Sequence, residues 1–402
     1  MRAGFMGRLP LVPALCALLA AAGSGLPVTA QGLTVSGILD SAVSMKAGAG
    51  DAPAFSYGFE EYANIRMQAR VRDRAVFYGA VNLIAAAGDA AKNAALLGLA
   101  RGSGSMGLSP SAFTYGENYL AGFELERLYF RLNGEYLDFD GGLLRLPFGY
   151  GQVWGSSDFL NPKNPLYPDA RPRAVLGAGL SWYPADSLKL LGFGAAPRNP
   201  FAETGEGGLM GLSMDQHWDR ASVQALYAFE TPRDGSRRGI HRAGMSVKAD
   251  VELGLLADLL YTYNQEADTG VDGLSLSLGL DYSFFEGKLI TLAEYLYNGE
   301  TSSTAVRGGG GFSNEQYLYT GLTWLINDYT TTGLALISGF DDVSFTTILS
   351  LEHELFQGCS LSLSGQIPLD RDRFSDNGGQ GELGPAAGGS YFNLNTKLRL
   401  RF

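Results

Sequence analysis

Side chains that could carry out covalent or acid–base chemistry are sparse in this 402-residue sequence. His217, His241 and His353 are far apart in the chain, each in or beside an extended-looking stretch. His353 lies between Glu352 and Glu354. Nucleophilic catalysis would also need a serine or cysteine brought within hydrogen-bond reach of such a base. No Gly-x-Ser-x-Gly, His-Glu-x-x-His or phosphate-loop pattern is present. The glycine run Gly308–Gly311 reads as a flexible connection. Cys16 lies in an apolar N-terminal run that reads as cleaved, which leaves Cys359 as the one cysteine. Neither an intramolecular disulfide nor a cysteine metal site then follows. No catalytic residue, metal ligand or cofactor is assigned, and an enzyme is not expected.

Charged residues are patterned differently, as rows on one side of alternating stretches. In Ala63–Arg72, the residues Ala63, Ile65, Met67, Ala69 and Val71 oppose Asn64, Arg66, Gln68, Arg70 and Arg72. Near the C-terminus, Phe392, Leu394, Leu398, Leu400 and Phe402 oppose Tyr391, Asn393, Asn395, Lys397, Arg399 and Arg401. A strand points successive side chains to opposite faces, so each stretch has one apolar and one cationic face. Asp138 and Asp140 repeat the arrangement with acids, and Asp258, Asp281, Glu352 and Glu354 are further candidates.

A third group lies in Pro147–Arg173, which has five prolines among aromatic, amide and charged residues: Tyr150, Trp154, Asp158, Asn161, Lys163, Asp169, Arg171 and Arg173. Prolines fix φ and stiffen a connection. Its aromatics predict that it packs on something.

The elements that must position these residues are short alternating segments. About eighteen are legible, with sixteen as the alternative count. They run Leu33–Met45, Ala63–Arg72, Val76–Ile84, Ala121–Leu132, Glu135–Leu146, Ala174–Tyr183, Leu188–Ala195, Gly208–Gln216 and Ala221–Glu230. Then follow Ile240–Val251, Leu253–Asn264, Gly273–Phe284, Lys288–Asn298, Glu315–Leu325, Tyr329–Ile337, Val343–Leu355, Cys359–Pro368 and the terminal strand. Asn133-Gly134 predicts a tight hairpin, because both residues accept positive φ. Gly141-Gly142 predicts a bulge. Connections alternate long and short along the chain, which a soluble sandwich has no reason to do.

Composition fits. Glycine (55) and tyrosine (20) are abundant, only 18% of residues are charged, and mean hydropathy is near zero. After residue 30 no apolar run is long enough for a transmembrane helix. Met1–Ala30 reads as a secretory signal: Arg2 and Arg8, an apolar run Leu9–Ala22, and small residues at Val28-Thr29-Ala30. Its loss would take the net charge from −11 to −13. That argues against a nucleic-acid partner.

The signal, the alternation and the terminal Phe402 together resemble bacterial outer-membrane β-barrels of the porin superfamily. The resemblance implies an all-β, antiparallel up-and-down barrel over residues 31–402 in the cell outer membrane of a diderm bacterium. It implies lipid outside, small solutes inside, Leu398, Leu400 and Phe402 as an insertion signal for barrel-assembly machinery, and homotrimers as one assembly state. Closing the sheet requires the first strand to pair with the last. Arg66, Arg70, Arg72, Asp138, Asp140, Lys397, Arg399 and Arg401 would then face the lumen. Loop 147–173 takes the position of the porin loop that folds inward and narrows the channel. Tyr261, Tyr263, Tyr295, Tyr297, Trp324 and Phe402 would form interfacial girdles, and Tyr317 and Tyr319 could offer an inner stacking surface. The expected function is passive diffusion of small solutes. A hydrophobic-substrate transporter resembling fatty-acid channels and a surface adhesin remain alternatives, with an outer-membrane hydrolase behind them.

Overall fold

The computed structural model describes residues 32–48, 55–72, 74–91, 111–161, 163, 165–166, 174–196, 208–231, 239–264, 273–299, 314–370, 383 and 390–402. The expected signal peptide and Asp169, Arg171 and Arg173 lie outside these residues.

Nineteen strands form among the described residues. The first ten are β1 (Leu33–Gly48), β2 (Phe55–Val71), β3 (Ala75–Gly88), β4 (Ser111–Tyr115), β5 (Tyr119–Asn133), β6 (Leu137–Leu144), β7 (Val175–Ala185), β8 (Leu188–Ala196), β9 (Leu209–Trp218) and β10 (Ala221–Glu230). The others are β11 (Ile240–Val251), β12 (Leu253–Asn264), β13 (Leu274–Phe284), β14 (Leu289–Asn298), β15 (Gln316–Asn327), β16 (Thr330–Gly339), β17 (Ser344–Phe356), β18 (Cys359–Asp370) and β19 (Ser390–Arg401). Each wall strand pairs antiparallel with its neighbours, and β1 pairs with both β2 and β19. The result is a closed eighteen-strand barrel, with β4 as a short addition. Closure leaves no edge in lipid, where backbone groups find no other partners.

Period-two patterning sets the two faces. On β1 the outward residues Leu33, Val35, Leu39 and Val43 are exposed, and on β19 so are Leu398 and Leu400. Phe402 lies at the seam, exchanging backbone hydrogen bonds with Gly37 (2.8 and 3.1 Å). A Cβ on Gly37 would come within 2.4 Å of the Phe402 ring, so glycine there is what lets the ring lie against the wall. Outward aromatics gather toward the rims: Tyr57, Phe59 and Tyr263 at the long-connection end, Trp182, Trp218 and Trp324 at the short-turn end.

Three local expectations need correction. First, Asn133 and Gly134 do not take positive φ. Asn133 pairs with Asp138, and Gly134 N–H donates to Leu137 O across a wider turn. Second, Gly141-Gly142 keeps its register with β5 and β7. Gly142 has φ 129° instead, and a Cβ there would lie 2.4 Å from Leu128 O. The bulge is on β5: Ala80 faces Arg127 and Val81 faces Leu125, so Glu126 is the extra residue. Outward positions accordingly switch from Phe123 to Leu128 and Leu132, and Glu126 and Arg127 both project inward. Third, β4 lies inside what reads as a long connection. It pairs with the half of β5 that β6 leaves open, because β6 ends at Leu144.

One outward residue breaks the apolar face. Glu61 pairs in register with Ser41, between the outward positions of Phe59 and Ala63, and accepts a 2.8 Å hydrogen bond from Ser41 Oγ. Among the described strand residues, it is the one Asp, Glu, Lys or Arg that the alternation sends to the outer face.

Candidate functional site

After Leu144 the chain leaves the wall, and the next wall strand begins at Val175. Residues 145–161 run along the inner face of the barrel. The wall they cover is apolar. Leu191, Phe193, Leu226, Ala228 and Leu260, inward residues of β8, β10 and β12, form one buried cluster with Leu146, Phe148, Phe159 and Leu160. Phe148 stacks on Phe159 at 5.8 Å and tilts against Phe193 at 5.0 Å. A second cluster joins Val153 and Trp154 to Leu296, Tyr317 and Ile337 on β14–β16, with Leu383. The Trp154 and Tyr317 rings are 5.3 Å apart. Tyr317 is thus fully buried and offers no stacking surface to the lumen.

Two acids of that wall stand in closely similar contexts: Leu256-Ala257-Asp258-Leu259-Leu260 and Leu292-Ala293-Glu294-Tyr295-Leu296. Both are buried, and both bind the segment through its backbone. Asp258 accepts the amides of Tyr150 (2.9 Å) and Gly151 (2.8 Å). Glu294 accepts those of Gln152, Val153 and Trp154, each at 2.9 Å. Gln224 accepts the amide of Gly149 at 2.7 Å. Six consecutive N–H groups, from residues 149 to 154, therefore end on three wall side chains. A buried carboxylate is costly unless hydrogen-bonded, and these amides satisfy it. Trp154 Nε1 also donates to the Glu294 carbonyl at 3.2 Å.

Inside the segment, Asp158 Oδ1 accepts the Asn161 amide at 3.1 Å, and Asn161 Oδ1 accepts the Leu146 amide at 3.2 Å. Lys163 Nζ donates to Gly151 O. Arg242 lies 5.0 Å over the Phe159 ring and pairs with Glu230 at 3.0 Å. Burial pushes the Asp158 carboxyl up to about 8; the Asp258 charge adds to the rise, and the Asn161 amide, Lys163 and the Phe148 backbone oppose it.

The opposite wall is polar. Asn64 and Asn82 are buried, and the Asn64 amide donates to Asn82 Oδ1 (2.7 Å) and to Glu126. Glu126 also accepts from Arg145 at 2.9 Å, at the root of the inward segment. Arg66 Nε donates to Asn64 Oδ1 at 2.6 Å. Arg127 donates to Tyr78 and lies 4.6 Å over its ring. Arg399 grips Asp40 with two 2.8 Å bonds, and Arg401 lies 3.7 Å from Glu352. Lys397 shares the Arg399 face.

Other expected lining residues lie toward the short-turn rim. Arg72 sits in the turn after β2 with φ 52°, and Arg70 is exposed near that rim. Asp140 pairs with Arg131 (2.6 Å), and Asp138 accepts from Tyr183 (3.2 Å), close to a short turn. His217, His241 and His353 bond Ser222, Tyr227 and Thr330 respectively, each on a different part of the wall. Sequence reasoning missed Glu294, Gln224, Glu126, Arg127 and Arg242. The legible signal was that the inner faces of β8, β10 and β12 carry large apolar residues such as Leu191, Phe193, Leu226, Leu256 and Leu260, so something had to cover them.

This architecture is a large, closed, antiparallel barrel of eighteen wall strands. Solved structures with the same fold include Acinetobacter baumannii OccAB4 (TM-score 0.52, 12% identity, 94% of this chain and 100% of that one). Pseudomonas aeruginosa OccK9 (OpdG) aligns with TM-score 0.54 and 11% identity over 93% and 99%. A BenF-like porin from Pseudomonas fluorescens Pf-5 aligns with TM-score 0.52 and 9% identity over 92% and 98%. No protein-family model and no curated protein matches the chain. At these identities the likeness is one of fold.

Proposed function

We propose that this chain is an outer-membrane channel for passive diffusion of small solutes, its aqueous path narrowed by residues 145–161 of the connection expected to fold inward. The observation that carries the reading is the seating of the segment on the inner wall through Asp258, Glu294 and Gln224. An eighteen-strand barrel has room for a water-filled lumen, and a segment fixed along one side reduces it. The path then runs between that segment and the polar wall of β1–β3, β5 and β17–β19. Arg66 and Arg70 have no carboxylate partner among the described residues, whereas Arg145, Arg399 and Arg401 do. Charge selection accordingly rests on the first two more than on the C-terminal row. The reading makes Leu398, Leu400 and Phe402 the edge that assembly machinery engages, and it allows homotrimers.

The test is planar-bilayer conductance of the refolded, heat-modifiable protein, with and without residues 150–168. Discrete steps that enlarge on deletion support a channel narrowed by the segment. A folded barrel that stays silent in both forms overturns the reading and favours a surface-binding barrel.

A further inference from the structure

The seat of the inward segment encloses more acid than base. Asp158, Asp258 and Glu294 are all buried there. Lys163, on the segment itself, is the nearest cation, and its ammonium is turned to the Gly151 carbonyl. Arg242 on β11 is committed to Glu230 on β10, and Asp215 on β9 accepts from Gln224. The three carboxylates are not equivalent. Asp258 and Glu294 belong to the wall, and five backbone amides converge on them. Asp158 belongs to the seated segment. It faces Asp258 from β12 and Lys163 from its own segment, and the backbone groups that hydrogen-bond it, those of Asn161 and Phe148, belong to the segment as well. A carboxylate in this position has lost water, is held only from within its own segment among the described residues, and faces a second buried acid across the seat.

We propose that Asp158 is a proton latch: the segment seats with Asp158 protonated, and ionisation of Asp158 loosens the seat and widens the path. The inference rests on the channel reading for its consequence but not for the latch itself. The raised pKa agrees in direction. The sign follows from linkage. The seated segment holds its proton up to about pH 8, whereas a released, solvated aspartate loses it near 4. Seating therefore weakens with rising pH between these limits, by up to about tenfold per unit, and is pH-independent above them. The latch releases on the alkaline side and closes on the acid side.

Two readouts test it on the full-length barrel between pH 5.5 and 9. The first needs no conduction: tryptic cleavage at Lys163 and the emission of Trp154, taken as the difference between wild type and Trp154→Phe. Both are expected to report progressive release as pH rises. Asp158→Asn, which keeps shape and stays neutral, is expected to remain seated with no pH dependence. The second is bilayer conductance, expected to rise with pH in wild type and stay low and flat in Asp158→Asn. Release that is insensitive to pH in wild type, or equally pH-dependent in Asp158→Asn, overturns the latch. pH-dependent release in a barrel that never conducts keeps the latch and overturns the channel. An Asp158→Asn barrel that fails to fold is replaced by Asp158→Ser, for which the same flat profile is required.

Discussion

The wall carboxylates act on the segment one residue at a time. Glu294 accepts three backbone amides with its two oxygens. Hydrogen bonds to a charged group contribute about 1.5–3 kcal/mol, and leaving buried donors unmatched costs a comparable amount. Glu294→Gln keeps the size but loses the charge and turns a donor toward three donors. We expect at least about a tenfold rise in exchange at amides 152–154, read by hydrogen–deuterium exchange, with the barrel still folded. Exchange unchanged from wild type would show that the apolar packing of Trp154 holds the segment alone. Asp258→Asn is expected to loosen amides 150 and 151 more than 152–154. Of these two acids, Asp258 alone was legible in the sequence as a lining residue. Their partners were not, because contacts to amides more than a hundred residues away leave no trace in spacing.

The strands themselves could be read because lipid outside and a wet or covered inside impose the same two-residue period on each one. Eighteen alternating segments became eighteen wall strands. What failed to show was whatever departs from that period. β4 is only five residues long in a stretch rich in small side chains. The β5 bulge was visible as a slip in phase between Leu125 and Leu128, yet the glycine pair drew the expectation to β6. Ion pairs between strands also differ by setting. The bidentate Arg399–Asp40 pair is mostly shielded, and Arg131–Asp140 has a half-exposed arginine. Double-mutant cycles in urea should give about 1–3 kcal/mol for the first and below about 1 kcal/mol for the second. Equal values would mean that shielding at the β1–β19 seam is unimportant.

For the whole molecule, the outer surface matters as much as the lining. A carboxylate on the lipid face costs stability, less near the interface than at the midplane. Glu61→Leu is therefore expected to stabilise the barrel modestly, by up to about 1 kcal/mol on the lipid-face scale, read as a higher denaturant midpoint in lipid vesicles. A marked loss of stability instead would mean that Glu61 has a use on that surface. Gly37→Val should do the reverse, since it drives a side chain into Phe402 and the Asn64 carbonyl. Overpacking of this kind costs about 1–3 kcal/mol, seen as a smaller heat-modifiable fraction after refolding. The carboxylate seat has a wider implication. It grips peptide groups from Gly149 to Trp154, and every residue type except proline supplies the same N–H. Exposed side chains such as Gln152 can therefore change between generations while the backbone stays where it is. One scaffold can display a succession of different linings, and the position of the segment is inherited separately from its preference for what passes.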